Sequence, residues 1–192
     1  MSGFDVNAFK ADGLKLGGVR PTQFEVNIFV PNSLISSQTP RMRFFCHSTT
    51  APPMIQDAIQ VPYFGRTLKY VGDRSYPDWN VSVYNDEDFP VRNVMEDWSN
   101  RMNAAISNRM SDDMFPVNYK STAQVIQYGK DGQALKGYLL EGVFPINVDA
   151  MGLSWDAVNQ IQTFDVTFAY DLWIPDTTVT TSTSFNPSLP NV

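Results

Sequence analysis

The chain has 192 residues, a formal net charge of -6, and a composition that is 43% hydrophobic, 13% aromatic and 18% charged. Its single cysteine and single histidine, Cys46 and His47, are too few for an internal disulfide or a Cys/His zinc site, and no apolar run reaches the roughly 20 residues of a membrane span. The acidic balance disfavours tight binding of a nucleic-acid backbone, because that binding requires many Lys and Arg side chains.

The sequence divides into a central β-rich domain and two terminal segments. Residues 1–20 are expected to form an arm that becomes ordered only when a neighbouring copy binds it. Residues 21–174 carry the alternating apolar patterns of one domain, whose size suits one hydrophobic core. Residues 175–192 are rich in Thr, Ser and Pro, and a tail of this composition is not expected to fold on its own.

The first two strands are predicted at residues 23–30 and 41–48. In the first of them the apolar side chains of Phe24, Val26 and Ile28 alternate with polar ones, and this period of two is typical of a half-buried strand. A polar connection over residues 31–40 joins the two segments. The pattern therefore predicts an antiparallel hairpin with a long loop.

Two further strands are predicted at residues 61–72 and 79–85. The first is the weaker of the two and contains Gly65 as a bend, whereas the second alternates regularly through Trp79, Val81 and Val83. A turn-like segment over residues 72–78 separates them. We expect these two strands to pair as antiparallel neighbours.

The apolar period changes to about 3.6 over residues 89–109, which predicts one α-helix. Three carboxylates at residues 86–88 precede this helix, where they are expected to cap its N-terminus and to suit its dipole. A magnesium site formed by the same carboxylates is the weaker interpretation. Asp97 precedes Arg101 by four residues, the order that favours an ion pair along a helix.

The last third of the domain predicts a hairpin and a long strand. Residues 121–128 and 135–144 flank Asp131 and Gly132, a dipeptide that is typical of tight hairpin turns. Residues 161–174 alternate between an apolar face and a face that carries Asp165 and Asp171. The apolar face is expected to lie in the core and the acidic face to be solvated.

The sequence gives little support for catalysis. Cys46 and His47 are adjacent on a predicted strand, so their side chains point to opposite faces and cannot form a thiolate-imidazole pair. The chain lacks a second histidine and the common phosphate-binding and hydrolase motifs. An enzyme that uses carboxylates alone, such as a glycosidase with Glu25 and Glu141, stays open, although nothing in the sequence brings this pair together.

The most basic and aromatic stretch lies within residues 63–74. Arg66, Lys69 and Arg74 are interleaved there with aromatic side chains, a pattern found in single-strand nucleic-acid binding. Three cations on an acidic chain are weak support for that function. An exposed strand or a protein interface is the better interpretation.

Two blocks of sequence carry a family resemblance. In residues 71–98 a GDR turn, a D-W strand, an N-D-E helix start and a D-W on the helix follow in order, namely Gly72, Asp73, Arg74, Asp78, Trp79, Asn85, Asp86, Glu87, Asp97 and Trp98. Residues 153–173 contain Trp155 and Asp156 ahead of the last strand. This order resembles the tail tube proteins of contractile-tailed bacteriophages, the myoviruses, and the resemblance extends over most of residues 20–173.

The resemblance implies a mainly β subunit, sandwich-like or barrel-like, with one flanking helix at about residues 89–109 and strands that join a closed ring. It also implies six copies per ring and rings stacked into a tube inside a contractile sheath, with DNA passing through the lumen without specific binding. The partners would then be other copies, the sheath protein, and baseplate and tube-terminating proteins, with no cofactor and no membrane.

The same resemblance implies a place in the virion, after synthesis in the host cytoplasm. Asp165 and Asp171 would face either the lumen or solvent elsewhere, and an acidic wall would repel phosphates. Few charges and many aromatic residues suit surfaces that are buried between copies. A tube initiator, a tube-end protein or a tube subunit of a related secretion or bacteriocin machine remain alternatives with the same fold.

Overall fold

The structure, a computed structural model, describes residues 18–31, 45–111 and 115–176. These ranges contain nine strands: β1 Phe24–Ile28, β2 Cys46–Thr49, β3 Ile55–Tyr63, β4 Arg66–Ser75, β5 Trp79–Tyr84, β6 Ser121–Tyr128, β7 Ala134–Val148, β8 Thr163–Ala169 and β9 Leu172–Asp176. They also contain two helices, α1 Pro90–Met102 and α2 Pro116–Tyr119. Neither of these helices has the length and apolar character needed to cross a membrane. The predictions for the N-terminal arm, for the tail and for most of the 31–40 loop fall outside the described residues.

Seven of the strands form one antiparallel sheet. Six of them follow the order β1-β6-β7-β8-β5-β2, and the seventh, β9, pairs with the first half of the long strand β7, next to the part that pairs with β8. The register is continuous across β8 and β9, because Phe144 of β7 pairs with Ala169 and Glu141 pairs with Leu172. The apolar faces of β1, β6, β7, β5 and β8 share a single core. The predicted mainly β, sandwich-like fold is confirmed.

A corner in this sheet lies where β7 passes from β9 to β8. Gly142 has a φ of 71° there, and a side chain at this position would overlap the carboxylate of Asp171. The Asp171 backbone N–H donates to the Glu141 carbonyl at 2.9 Å, and Lys120 Nζ lies 2.7 Å from Asp171 Oδ2. The predicted single strand over residues 161–174 is therefore two strands, because the chain turns at Tyr170 and Asp171 to follow the bend of β7.

Two tryptophans occupy the centre of the core. Trp79 of β5 and Trp98 of α1 are fully buried. The indole N–H of Trp79 donates to the Thr50 carbonyl and that of Trp98 to the Tyr119 carbonyl, each at 3.0 Å. Burial of the two rings therefore leaves neither indole N–H without an acceptor.

Helix α1 packs one face on β7 and the rest of the core. Its buried side chains Val91, Val94, Met95 and Trp98 follow the spacing of a single helical face. The helix ends at Met102 and not at residue 109, because Asn103 adopts an extended conformation. The predicted apolar side chain at 106 is accordingly fully exposed.

The predicted capping of α1 by carboxylates is wrong, although the start of the helix is confirmed. Phe89, and not a carboxylate, is the N-cap residue; its φ is 51°, no side-chain capping hydrogen bond is made at this position, and the first turn contains no acidic residue. Asp86 instead stabilises the preceding turn, where its carbonyl accepts the Phe89 N–H at 2.9 Å. The predicted ion pair between Asp97 and Arg101 is confirmed at 3.3 Å.

Strand pairing was predicted correctly where the turn is tight and wrongly elsewhere. The β6–β7 hairpin and its turn at Gly132, with a φ of 76°, are confirmed. The hairpin predicted between residues 23–30 and 41–48 is wrong, because β1 pairs with β6 and β2 with β5, at opposite ends of the sheet. The pairing predicted between residues 61–72 and 79–85 is also wrong, because β4 pairs with β3 and β5 lies between β8 and β2.

Candidate subunit interface

The β3–β4 hairpin is a separate two-stranded sheet that projects from the body of the molecule. Every residue of both strands is exposed except Gly72, which is half-buried. Nine residues of β3 at about 3.3 Å each give the hairpin a length of about 30 Å. An isolated two-stranded sheet is marginally stable in water, so this hairpin needs a surface to pack on.

One face of this hairpin is apolar. Cross-strand pairing places Ile59 opposite Tyr70, Val61 opposite Leu68 and Tyr63 opposite Arg66 on the same face. The other face carries Gln60, Lys69 and Thr67 among its members. A contiguous apolar face that is exposed on a protein surface is typical of a protein–protein contact.

The tip of the hairpin ends in a two-residue turn, Phe64 and Gly65. Their φ values of 45° and 78° are both positive, as a type I′ turn requires. A bulky residue is rare in this conformation, and the Phe64 side chain is 91% exposed. Its ring lies 4.9 Å from that of Tyr63, so the tip presents a pair of aromatic rings to a partner.

The root of the hairpin contains the GDR motif. A bulge opposite Asp57 brings its backbone against Gly72, where a side chain would lie 2.9 Å from the Asp57 carbonyl oxygen. The side chain of Gln56 donates to the Gly72 carbonyl at 3.3 Å. Glycine is therefore needed at 72 for close backbone approach, whereas Asp73 and Arg74 are exposed.

A second exposed apolar surface is the 149–162 loop, which joins β7 to β8. Trp155 is fully exposed and Leu153 is 88% exposed, and Val158 and Ile161 also face outward. An open concavity of about 390 Å³ lies at this loop and is lined by residues 152–154, 157 and 160–163. Asp156 lies beside Trp155, and its backbone N–H donates to Ser154 Oγ at 3.2 Å.

The loop is held to the sheet by Asn85, which follows β5. The Asn85 backbone N–H donates to the Gln162 carbonyl and its side-chain N–H donates to Gln162 Oε1, both at 2.8 Å. Gln162 in turn donates to the Gly152 carbonyl at 3.2 Å. The two sequence blocks that carry the family resemblance thus meet in the structure.

The residues of those blocks have different environments. Trp79 and Trp98 are core residues and Asn85 anchors the loop. Asp78 and Asp86 are exposed next to β5 and α1, and Trp155 and Asp156 are exposed on the loop. The sequence alone does not distinguish these environments, because the same residue type, tryptophan, is buried at 79 and 98 and exposed at 155.

The two predicted acidic residues also differ. Asp165 is half-buried on the outer face of β8, opposite Ser82 of β5. Asp171 is exposed and paired with Lys120 at the sheet corner. Whether either carboxylate faces a lumen stays a prediction.

The candidate catalytic groups are not arranged for chemistry. Burial raises the pKa of the Cys46 thiol to about 12, and the His47 ring contacts Tyr84 with the centroids 4.6 Å apart. Glu25 pairs with Ile126 and Glu141 with Thr122, so the two glutamates lie about 13 Å apart along β6. Across the three described ranges, no group of three or more His, Cys, Asp or Glu residues is placed to hold a metal ion.

Sequence reasoning missed β3 as a strand and therefore missed the hairpin as a unit. Its first half, IQDA, does not alternate regularly, and Pro62 near its end argues against a strand interior. The useful signal was the local mirror symmetry around Phe64 and Gly65, where apolar residues recur at equal distances on both sides. Two strands joined by two residues form the shortest hairpin.

Comparison with known proteins is consistent across sequence and structure. A family model described as phage tail tube protein matches residues 19–176. The chain is 36% identical to tail tube protein gp19 of Enterobacteria phage T4 over 155 residues, which are 80% of this chain and 90% of the relative. It is 27% identical to the tail tube protein of Serratia phage KSP90 over 167 residues, which are 86% and 93% of the two chains.

Solved structures share the fold at low sequence identity. A chain of the anti-feeding prophage baseplate has a TM-score of 0.61 and 11% identity, with 82% of this chain and 95% of the other covered. A chain of the PVC sheath–tube complex of an extracellular contractile injection system, in its extended state, has a TM-score of 0.52 and 13% identity, with 90% and 98% covered.

Proposed function

The chain belongs to the phage tail tube protein family and is a structural subunit of a contractile machine, and we propose that six copies close into a ring and that the rings stack into a tube. The observation that carries this proposal is the β3–β4 hairpin, which has an aromatic tip and an apolar face that no residue in the described ranges covers. A second copy of the chain supplies such a surface. The partners of the finished tube are the sheath and the baseplate.

The lumen of this tube is proposed to be lined by the outer face of β5 and β8. The cross-strand pairs of β5 and β8 on this face are Asn80 with Thr167, Ser82 with Asp165 and Tyr84 with Thr163. None of these six side chains is a cation. On this face DNA phosphates would meet no Lys or Arg that retains them, so the genome could slide along it.

The test of tube formation is sedimentation and negative-stain microscopy of the purified protein, alone and mixed with baseplates purified from phage. Rings or tubes with a lumen are the expected result. A protein that stays monomeric in both conditions would contradict the proposal. The number of copies per virion, measured by quantitative mass spectrometry against the sheath protein, separates a repeating tube subunit from a tube initiator or a tube-end protein.

The test of the lumen is a charge change at Asp165. We expect Asp165→Lys to leave tube assembly intact and to slow DNA ejection, because each subunit would then add a cation that holds phosphates. Asp131→Lys at the exposed β6–β7 turn is the matched control, with the same change in charge on another surface. Equal ejection rates for the two variants would show that Asp165 does not face the lumen.

A further inference from the structure

The two exposed apolar surfaces lie at opposite ends of the same pair of strands. The hairpin enters β5 at Trp79, which pairs with Phe168, whereas the 149–162 loop is tied to the other end of β5, where Tyr84 pairs with Thr163. The six residues of β5 separate these ends by about 20 Å. A chain with unlike surfaces at its two ends is suited to head-to-tail association.

The two surfaces also carry opposite charge. Near the hairpin tip lie Arg66 and Lys69, and neither forms an ion pair within the described part of the chain. The 149–162 loop contains Asp149 and Asp156 and no Lys, Arg or His. The cation nearest to its base is Arg92, which bonds the Asp149 carbonyl and is already paired with Glu96.

We propose that the tip of the β3–β4 hairpin of one copy docks on the 149–162 loop of another copy in the adjacent ring. In this contact the Tyr63 and Phe64 rings pack on Trp155 and Leu153, and Arg66 faces Asp156. The proposal rests on the ring stacking given under the proposed function and adds which two surfaces meet.

The alternative occupants of each surface are less well matched. Two hairpin tips would bring Arg66 of one copy against Arg66 of the other, and like charges in contact oppose binding. Two loops would likewise bring Asp156 against Asp156. The contact between hairpin and loop is the combination that joins opposite charges and buries aromatic rings, the residue types that dominate binding energy at interfaces.

The proposed contact also explains why Phe64 occupies the turn between β3 and β4. A type I′ turn favours Asn or Asp before glycine, and Phe64 in that position strains the backbone. A buried aromatic anchor in the docked state offsets this strain. The fully exposed Trp155 on the receiving loop is explained by the same contact.

A charge-reversal experiment tests the proposal. We expect Arg66→Glu and Asp156→Arg each to reduce the fraction of protein in tubes at least about tenfold, and the double variant to recover most of it, because the pair is restored with opposite polarity. Lys130→Glu at the exposed β6–β7 turn is the matched control and should assemble normally. Circular dichroism of the unassembled variants checks that each has folded.

The outcomes separate this proposal from the proposed function. If the wild-type chain forms tubes and the single variants assemble equally well, the hairpin–loop contact is wrong and the tube function stands. Loss of assembly without recovery in the double variant also contradicts the pairing. If the wild-type chain forms no tubes even with baseplates present, the proposed function itself fails.

Cross-linking provides a second, independent readout. With Cys46→Ala removing the native thiol, Tyr63→Cys and Trp155→Cys in one chain should give a ladder of disulfide-linked multimers after assembly and oxidation. Each single variant should stay uncross-linked. Dimers formed by Tyr63→Cys alone would indicate a hairpin–hairpin contact, and cross-links from the hairpin to the sheath protein would assign it another partner; either result overturns the proposal.

Discussion

Strands β5 and β8 of the main sheet and the strands of the β3–β4 hairpin follow the same sequence rule with opposite results. Both pairs have alternating apolar residues, yet β5 and β8 bury their apolar faces in the core that also contains Trp98 and Met95, whereas Ile59, Val61 and Tyr70 remain exposed. The difference is that the first surface has its partner within the chain. The two strands of the hairpin pair only with each other, and no described residue covers their apolar face; in the docking that we propose, a second copy covers it.

The largest expected effect of this difference is on stability. Trp98→Ala should lower the free energy of unfolding by about 3–5 kcal/mol, because it leaves a cavity in the core and an unused carbonyl at Tyr119. Leu68 on the hairpin is 47% exposed, so Leu68→Ala removes apolar surface of which about half is in water, and it should change that free energy by less than about 1 kcal/mol. Urea unfolding of the unassembled variants measures both.

The same pair of variants should have the opposite order in assembly. Leu68→Ala should raise the protein concentration needed to form tubes, whereas a Trp98→Ala subunit that folds retains both docking surfaces. A strong loss of stability in Leu68→Ala would show that the hairpin packs on its own subunit. The proposed difference between the buried main sheet and the exposed hairpin would then be wrong.

The sheet corner has the next largest expected effect. Gly142→Ala places a methyl group where the Asp171 carboxylate lies and forces a residue with a side chain to keep a φ of 71°. We expect a loss of about 2 kcal/mol in the free energy of unfolding. Gly65→Ala in the hairpin turn, with a φ of 78° but open space around it, is the matched control and should cost about 1 kcal/mol, confined to the hairpin.

The sequence was sufficient to predict which face of most strands is buried, but not which strands lie next to each other in the sheet. Alternation in residues 79–85 and 161–174 correctly assigned Trp79, Val81, Phe164 and Val166 to the core. A period of two says which side of a strand is buried and nothing about which strand lies beside it. The β6–β7 hairpin was predictable because Asp131 and Gly132 close it within a few residues.

Strand pairs that are distant in sequence were not predictable for the same physical reason. The β1–β6 pair joins residues that are about 100 positions apart, and its stability depends on a core that forms only when all strands are present. The candidate interface was less predictable still. The sequence marks residues 63–74 as basic and aromatic, but only the structure shows that they lie on a projecting hairpin whose strands are exposed.

A smaller effect is expected at the hairpin tip. Phe64→Asn fits the type I′ turn better and should stabilise the hairpin by about 1 kcal/mol, visible as slower amide exchange in β3 and β4 of the unassembled chain. Tube formation should weaken, because the aromatic anchor is lost. A variant that gains protection and still assembles normally would show that Phe64 has no role in docking.

The smallest effect concerns the thiol of β2 and appears only at alkaline pH. Burial raises the pKa of Cys46 to about 12 in the folded chain, from 9.0 for the free thiol. Between these values the unfolded chain loses its thiol proton and the folded chain keeps it, so the thiol contributes to a fall in stability as the pH rises from about 9. Cys46→Ala should remove this contribution. The urea midpoint of the wild-type chain should therefore fall relative to that of Cys46→Ala as the pH rises above about 9.

Thiol labelling extends this prediction to the comparison between sheet and hairpin. At pH 8 Cys46 should react slowly with iodoacetamide, because little thiolate forms at that pKa. Leu68→Cys in a Cys46→Ala chain should react rapidly when unassembled and slowly in tubes, since assembly covers the apolar face of the hairpin. Rapid labelling of the hairpin thiol within intact tubes would contradict its burial between copies. Slow labelling before assembly would instead mean that the face is covered within one chain, and the sheet and the hairpin would no longer differ.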